Sequence, residues 1–222
     1  MAIPAIADAA SDGQVWPYFL ISTAMTLFSG MALVLGARGG SLVVGVKEAF
    51  ILTSVSWIIV TAYASLPILL SMPELGFASA FFESMSGLTT TGSTTLTNLD
   101  NAPVGILLWR AILQWLGGIG IIVMAIAVLP VLSVGGMQIF RTELSNHSKK
   151  LLPRAAPTAA WIAITYATLT LIWAIALWVA GMKPFDSICH AMATIATGGF
   201  STWDGSIGSF NSPAIDWIII AG

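Results

Sequence analysis

The sequence predicts an all-α polytopic membrane protein made of repeated units. Each unit reads as a long apolar helix, a short re-entrant helix, a polar glycine loop and a second long helix. Three observations predict it. Only 8% of the 222 residues are Asp, Glu, Lys or Arg, against roughly 25% in soluble domains. Ala49–Leu70, Ala111–Phe140 and Ala155–Met182 carry no charge at all, and each is at least as long as the roughly 20 residues that cross a bilayer. Finally, two polar, glycine-bearing stretches echo each other, with Gly92 and Gly199 in equivalent places.

The crossing segments follow from the charge gaps. The first is Pro17–Ala37. It follows Asp8 and Asp12 rather than a basic region, which argues against a signal peptide. The second is Ala49–Leu70, the third Val104–Leu132 with Arg110 near its start, and the fourth Ala159–Ala180. The fifth begins near Pro213 and stops at Gly222, far short of a span, so the chain reads as a fragment, incomplete at its C-terminus. Arg38 and Lys47 lie between the first two segments; Arg141, Lys149, Lys150 and Arg154 lie between the third and fourth. The positive-inside rule makes both loops cytoplasmic. The Ser71–Pro103 region holds Glu74, Glu83 and Asp100 and no base, so it faces outward, as does the N-terminus. The Gly135–Arg154 linker is partly amphipathic and reads equally as an interfacial helix or a plain loop.

ASAFFESMSGLTTTGSTT, from Ala78 to Thr95, aligns with FDSICHAMATIATGGFST, from Phe185 to Thr202. Thr90 falls on Thr197, Gly92 on Gly199 and Thr95 on Thr202. Internal repeats outrank single motifs and recur in membrane transport folds. The segments Phe77–Leu88 and Phe185–Ile195 are too short to span and read as re-entrant helices. Irregular backbone at membrane depth is tolerated only when buried in protein or lining a water-filled cavity. A pore follows: carbonyls of Thr90, Thr91, Gly92 and Ser93, with Thr197, Gly198, Gly199 and Phe200 as counterparts, would replace the water around a cation. Glycine reaches backbone angles that strain other residues, turning successive carbonyls one way. TTTG alone is a weak signal, because Thr/Ser/Gly clusters are usually loops; the repeat and its flanking spans carry the reading.

Other residues have plainer alternatives. Glu83 could brace a loop or raise the local cation concentration; its counterpart is His190. Asp186 reads as the N-cap of the second short helix. Asp100 and Asp204 lie just beyond the loops. Arg110 either snorkels outward or pairs with Glu83 or Asp100, and Gln114 follows one turn on. Gly117, Gly118 and Gly120 make a smooth helix face for close packing or a bend. Trp16, Trp109 and Trp203 suit interfacial positions. The single cysteine, Cys189, excludes an internal disulfide and a cysteine metal cluster. His147 and His190 have no metal-site spacing, and there is neither a dinucleotide fingerprint nor a phosphate loop. No acid, base or nucleophile set suggests an enzyme, and no cofactor or nucleic-acid partner is expected.

With these residues in place, the chain resembles the TrkH/TrkG/KtrB superfamily of bacterial potassium uptake proteins, the TrkH branch above all. The similar pieces are FFESMSGLTTTGSTT, LQWLGGIGIIVMAIAVLPVL with GGMQIFR, and GMKPFDSICHAMATIATGGFST. The resemblance implies four M1–pore helix–M2 units around one pore. Residues 46–135 would be the first unit and 156–222 the second, truncated in its M2, with 1–45 an N-terminal helix and loop and 136–155 a cytoplasmic linker. The first segment would match the second helix of an extra N-terminal pair. Gly92 and Gly199 fall on the family's filter glycines, and glycine at the first favours potassium over sodium. The potassium ligands would be backbone carbonyls of Thr90, Thr91, Gly92, Thr197, Gly198 and Gly199. The resemblance also implies the bacterial inner membrane, a homodimer and a peripheral cytosolic nucleotide-binding regulatory subunit. A secondary transporter of another cation or small solute, with the loops as binding site, is the alternative; a membrane scaffold is a third.

Overall fold

The computed structural model describes residues 1–37, 46–132 and 152–222, and among them there is helix and no strand. The helices are α1 (Ala2–Ala10), α2 (Trp16–Gly36), α3 (Val46–Ala64), α4 (Leu66–Ser71), α5 (Gly76–Leu88), α6 (Val104–Leu132), α7 (Leu152–Val179), α8 (Pro184–Ile195) and α9 (Pro213–Ala221). Among the described residues, four stretches are long and apolar enough to cross a membrane: Trp16–Gly36, Phe50–Ser71, Val104–Ile122 and Ala160–Val179. They match the expected segments. The basic residues of the Gly135–Arg154 linker, apart from Arg154, and His147 lie outside the described residues.

The second span is not one helix. It breaks at Ser65, between α3 and α4. Pro67 causes this, because it has no N–H and its ring meets the carbonyl four residues back. Beside the break, the buried Ala64 carbonyl accepts the indole Nε1–H of Trp109 at 2.9 Å. Trp109 is therefore 5% exposed; the expectation of an interfacial ring fails because its N–H has a buried partner.

Outward faces of α2, α3 and α7 carry Phe28, Leu33, Leu52, Trp161, Leu171 and Val179, all exposed. Such faces suit lipid or further helices. Their hydroxyls do not break the pattern. Thr23, Thr26, Ser29, Thr168 and Thr170 each donate to the carbonyl four residues earlier, which satisfies them within the helix. α6 is different. Its span is the most buried of the four, and it packs against α1, α5 and α8. It is the wall against which both short helices lean.

The short helices end sharply. α5 has 13 residues and α8 has 12, about 20 Å at 1.5 Å per residue, well under the roughly 30 Å hydrocarbon core. Asp186 is not the N-cap of α8; Lys183 is, and Asp186 sits inside the first turn, accepting the Thr202 hydroxyl at 2.7 Å.

α1 is not expected from the residue pattern. Its nine residues are organised by Asp8, which is fully buried. One carboxylate oxygen accepts the N–H groups of Val15 and Trp16, both at 2.9 Å, and the other accepts that of Gly105 at 3.2 Å. Asp8 thus supplies acceptors to the first N–H groups of α2 and α6, which have no partner in their own helices. Asp8→Ala is expected to lower stability by about 1–3 kcal/mol, the range for stranded buried donors, and Asp8→Asn by less. Thermal unfolding of the detergent-purified protein reads the difference.

Candidate functional site

The loops that follow the two short helices lie against each other, and each helix ends in the same way. In α5, the Thr90 N–H reaches the Gly87 carbonyl at 2.9 Å and the Thr91 N–H reaches Ser86 at 2.9 Å. In α8, Thr197 bonds Thr194 and Gly198 bonds Ala193, both at 2.8 Å. This is a Schellman motif, whose first residue past the cap is left-handed and usually glycine. Here it is threonine: φ is 55° at Thr90 and 53° at Thr197. A β-branched residue there is strained, and such strain concentrates at functional sites. Two residues on, Gly92 has φ 78° and Gly199 has φ 77°. The repeat thus holds in backbone angles as well as in residue types.

Beyond the glycines each chain returns along its own short helix. The Glu83 carboxylate accepts from the Thr94 hydroxyl at 2.9 Å and from the Thr95 N–H at 2.8 Å. In the second copy, His190 Nε2 lies 3.0 Å from the Ser201 hydroxyl. Glu83 and His190, unlike in charge, occupy one structural role. Glu83 also pairs with Arg110 at 2.8 Å, with 0% and 2% side-chain exposure. Of the alternatives open for Arg110, burial against Glu83 is the one realised. Asp100 instead accepts the N–H of Asp204 at 2.9 Å, joining the two exits.

The loops meet. A methyl group on Gly92 would overlap the Gly198 carbonyl oxygen, and one on Gly198 would overlap the Gln114 side chain. Gln114 Oε1 accepts the Phe200 N–H at 3.1 Å. α6 gets this close because it lacks side chains at the contact: Cβ atoms at Gly117 and Gly118 would strike the Leu88 carbonyl and the Tyr166 hydroxyl. Close packing is the use of that glycine face. The carbonyls of Thr90, Thr91, Gly92, Thr197, Gly198 and Gly199 accept no hydrogen bond from any described residue. The neighbouring Ser93 carbonyl takes the Ser86 hydroxyl at 2.6 Å, and Ser201 takes Arg110 at 2.9 Å.

The family model described as "TrkH: Cation transport protein" matches residues 16–221. The chain belongs to the TrkH family. It is 51% identical over 176 residues to the Trk system potassium uptake protein TrkH of Escherichia coli (strain K12), covering 78% of this chain and 36% of that protein. It is 42% identical over 214 residues to the protein of the same name from Halomonas elongata, covering 95% and 44%. The crystal structure of the potassium transporter TrkH from Vibrio parahaemolyticus superposes with a TM-score of 0.86 at 38% identity, over 99% of this chain and 44% of that one. The chain thus spans 36–44% of the length of these relatives.

Within the TrkH frame, the expected loop residues divide into two kinds. Thr91, Ser93, Thr197 and Gly199 are exposed, and Thr90 and Gly92 partly so. Gly198 and Phe200 are buried, and the Phe200 ring lies 4.2 Å from the Arg110 guanidinium carbon. The Thr89 hydroxyl is a brace, bonded to the Met85 carbonyl and to the Thr91 hydroxyl, each at 2.8 Å. Sequence reasoning missed the contacts of Gln114 and the left-handed threonines. Threonine after a helix carries no signal for positive φ; only the matching TTG and TGG contexts hint at it. Among the described residues no cluster of three or more His, Cys, Asp or Glu could hold a metal, and Cys189 is buried and free.

Proposed function

We propose that this chain supplies two walls of a potassium-selective pore in the bacterial inner membrane, as part of a Trk-type uptake system. The observation that carries the reading is the set of unbonded carbonyls from Thr90 to Gly92 and Thr197 to Gly199. At membrane depth a backbone carbonyl without a donor is costly. A dehydrated cation removes that cost, because the carbonyl oxygens take the place of its water. Alternation of left-handed and other backbone angles at Thr90, Thr91 and Gly92, and again at Thr197, Gly198 and Gly199, suits carbonyls turned to one side.

Glu83 does not compete for the ion. Both oxygens of Glu83 are engaged by Arg110, Thr94 and Thr95, so Glu83 braces the loop rather than concentrating cations. Potassium is the ion of choice because the relatives are potassium uptake proteins by name and because glycine occupies position 92. The same reading carries a homodimer and a cytosolic nucleotide-binding regulatory subunit as partners, with the basic Arg141–Arg154 segment as the contact.

Rubidium uptake tests it. The protein, expressed from its complete reading frame in a cell lacking potassium transport, is expected to take up rubidium in competition with potassium. Uptake of another solute with no rubidium flux would favour the alternative, a secondary transporter with these loops as its binding site.

A further inference from the structure

Arg110 and Gln114 stand one turn apart on α6, and both reach across to the second loop. The Arg110 guanidinium serves three segments at once. Nε donates to Glu83 on α5 at 2.8 Å, Nη2 to the Thr94 hydroxyl after the first loop at 3.2 Å, and Nη1 to the Ser201 carbonyl after the second loop at 2.9 Å. Its face rests on the Phe200 ring. Gln114, fully buried, holds the Phe200 N–H through Oε1. Its Nε2 has no acceptor among the described residues and lies between Gly198 and Gly92.

The second unit has no arginine of its own at this place. Counted from the helix starts, Val104 of α6 and Pro213 of α9, the position equivalent to Arg110 is Ile219. The second loop returns along its own helix through His190 and Ser201, and the arginine it meets at the Ser201 carbonyl is Arg110 of the first unit. The pair's contacts run beyond its own unit. It joins the first unit to the second, at the place where Gly92 meets the Gly198 carbonyl. The three bonds leave from three separate nitrogens of one planar guanidinium; a lysine ammonium also has three donors, but all on a single nitrogen, and cannot reach the three acceptors in this arrangement.

We propose that Arg110 and Gln114 are positioning residues that hold the two loops in register, so that preference among monovalent cations depends on them although neither supplies an ion ligand. The proposal rests on the pore reading above. A carbonyl site discriminates between ions by the number and placement of its oxygens, and both loops supply those oxygens. A slip of one loop against the other changes that placement without removing any oxygen.

The test uses the protein from its complete reading frame, with Arg110→Lys and Gln114→Ala. Rubidium uptake is measured against competing sodium, per amount of protein in the membrane. The rubidium-over-sodium preference is expected to fall about tenfold in each variant, the factor associated with one lost hydrogen bond to a charged or buried group. A merely structural role lowers the maximal uptake and leaves the ratio unchanged; that result overturns the proposal. A variant that no longer conducts is read on purified protein, as the ratio of potassium to sodium concentrations giving half-maximal thermal protection, with the same expected and overturning outcomes. A wild type that takes up no rubidium overturns the pore reading and this proposal together; an unmoved ratio in a transporting wild type overturns this proposal alone.

Discussion

Gly92→Ala is expected to abolish rubidium uptake, while Gly199→Ala leaves a measurable fraction. Both glycines have the same left-handed φ, 78° and 77°, so backbone strain alone predicts equal effects. That strain is about 1–2 kcal/mol for an L-residue. Their surroundings differ. The new methyl at 92 overlaps the Gly198 carbonyl oxygen, whereas nothing lies within 4 Å of the one at 199. Backbone cannot rotate aside as a side chain can, so the first loop must move away from the second. A displacement of about an ångström in a positioned site costs roughly 100-fold, against roughly tenfold for the strain at Gly199. Both variants are expected to insert normally, since neither alters a span. Uptake per inserted protein is the measurement. Equal activity in the two variants would show that the approach of the loops does not matter to transport.

Arg110→Ala carries the largest expected loss of stability. Removing one partner of a buried ion pair costs about 3–5 kcal/mol, because the other charge remains without compensation. Glu83 would keep the Thr94 hydroxyl and the Thr95 N–H, which lessens the loss but does not neutralise a carboxylate that is 0% exposed. The double variant Glu83→Gln with Arg110→Met removes both charges and is expected to be more stable than Arg110→Ala alone. A double-mutant cycle on Glu83→Gln and Arg110→Met, read by thermal unfolding in detergent, should give a coupling of about 2 kcal/mol or more. Simple additivity of the two single changes would mean that the pair contributes nothing beyond its separate parts.

Much of the architecture was legible along the chain. Runs without charge located the spans, since a charged side chain at membrane depth is expensive. Proline at the start of α8 and α9, glycine at the start of α5, and the loop glycines marked the turns, so Phe77–Leu88 and Phe185–Ile195 came within a residue of the observed helices. The third span matched α6 at both ends. These are local properties, decided by a residue and its near neighbours in sequence.

What the sequence by itself determined is the helical membrane class, the order of spans and short helices, and the repeat of Thr90 and Gly92 at Thr197 and Gly199. The tertiary structure alone decided who meets whom. It selected Glu83 over Asp100 as the partner of Arg110, buried Trp109 against the break at Ser65, and folded α1 around an aspartate that caps two helices. It also gave α6 the task of joining both loops through Arg110 and Gln114. The physical reason is that a buried polar group takes whatever partner the packing brings within about 3 Å. Those partners lie as far apart in sequence as Arg110 and Ser201, where no periodicity or spacing can register them.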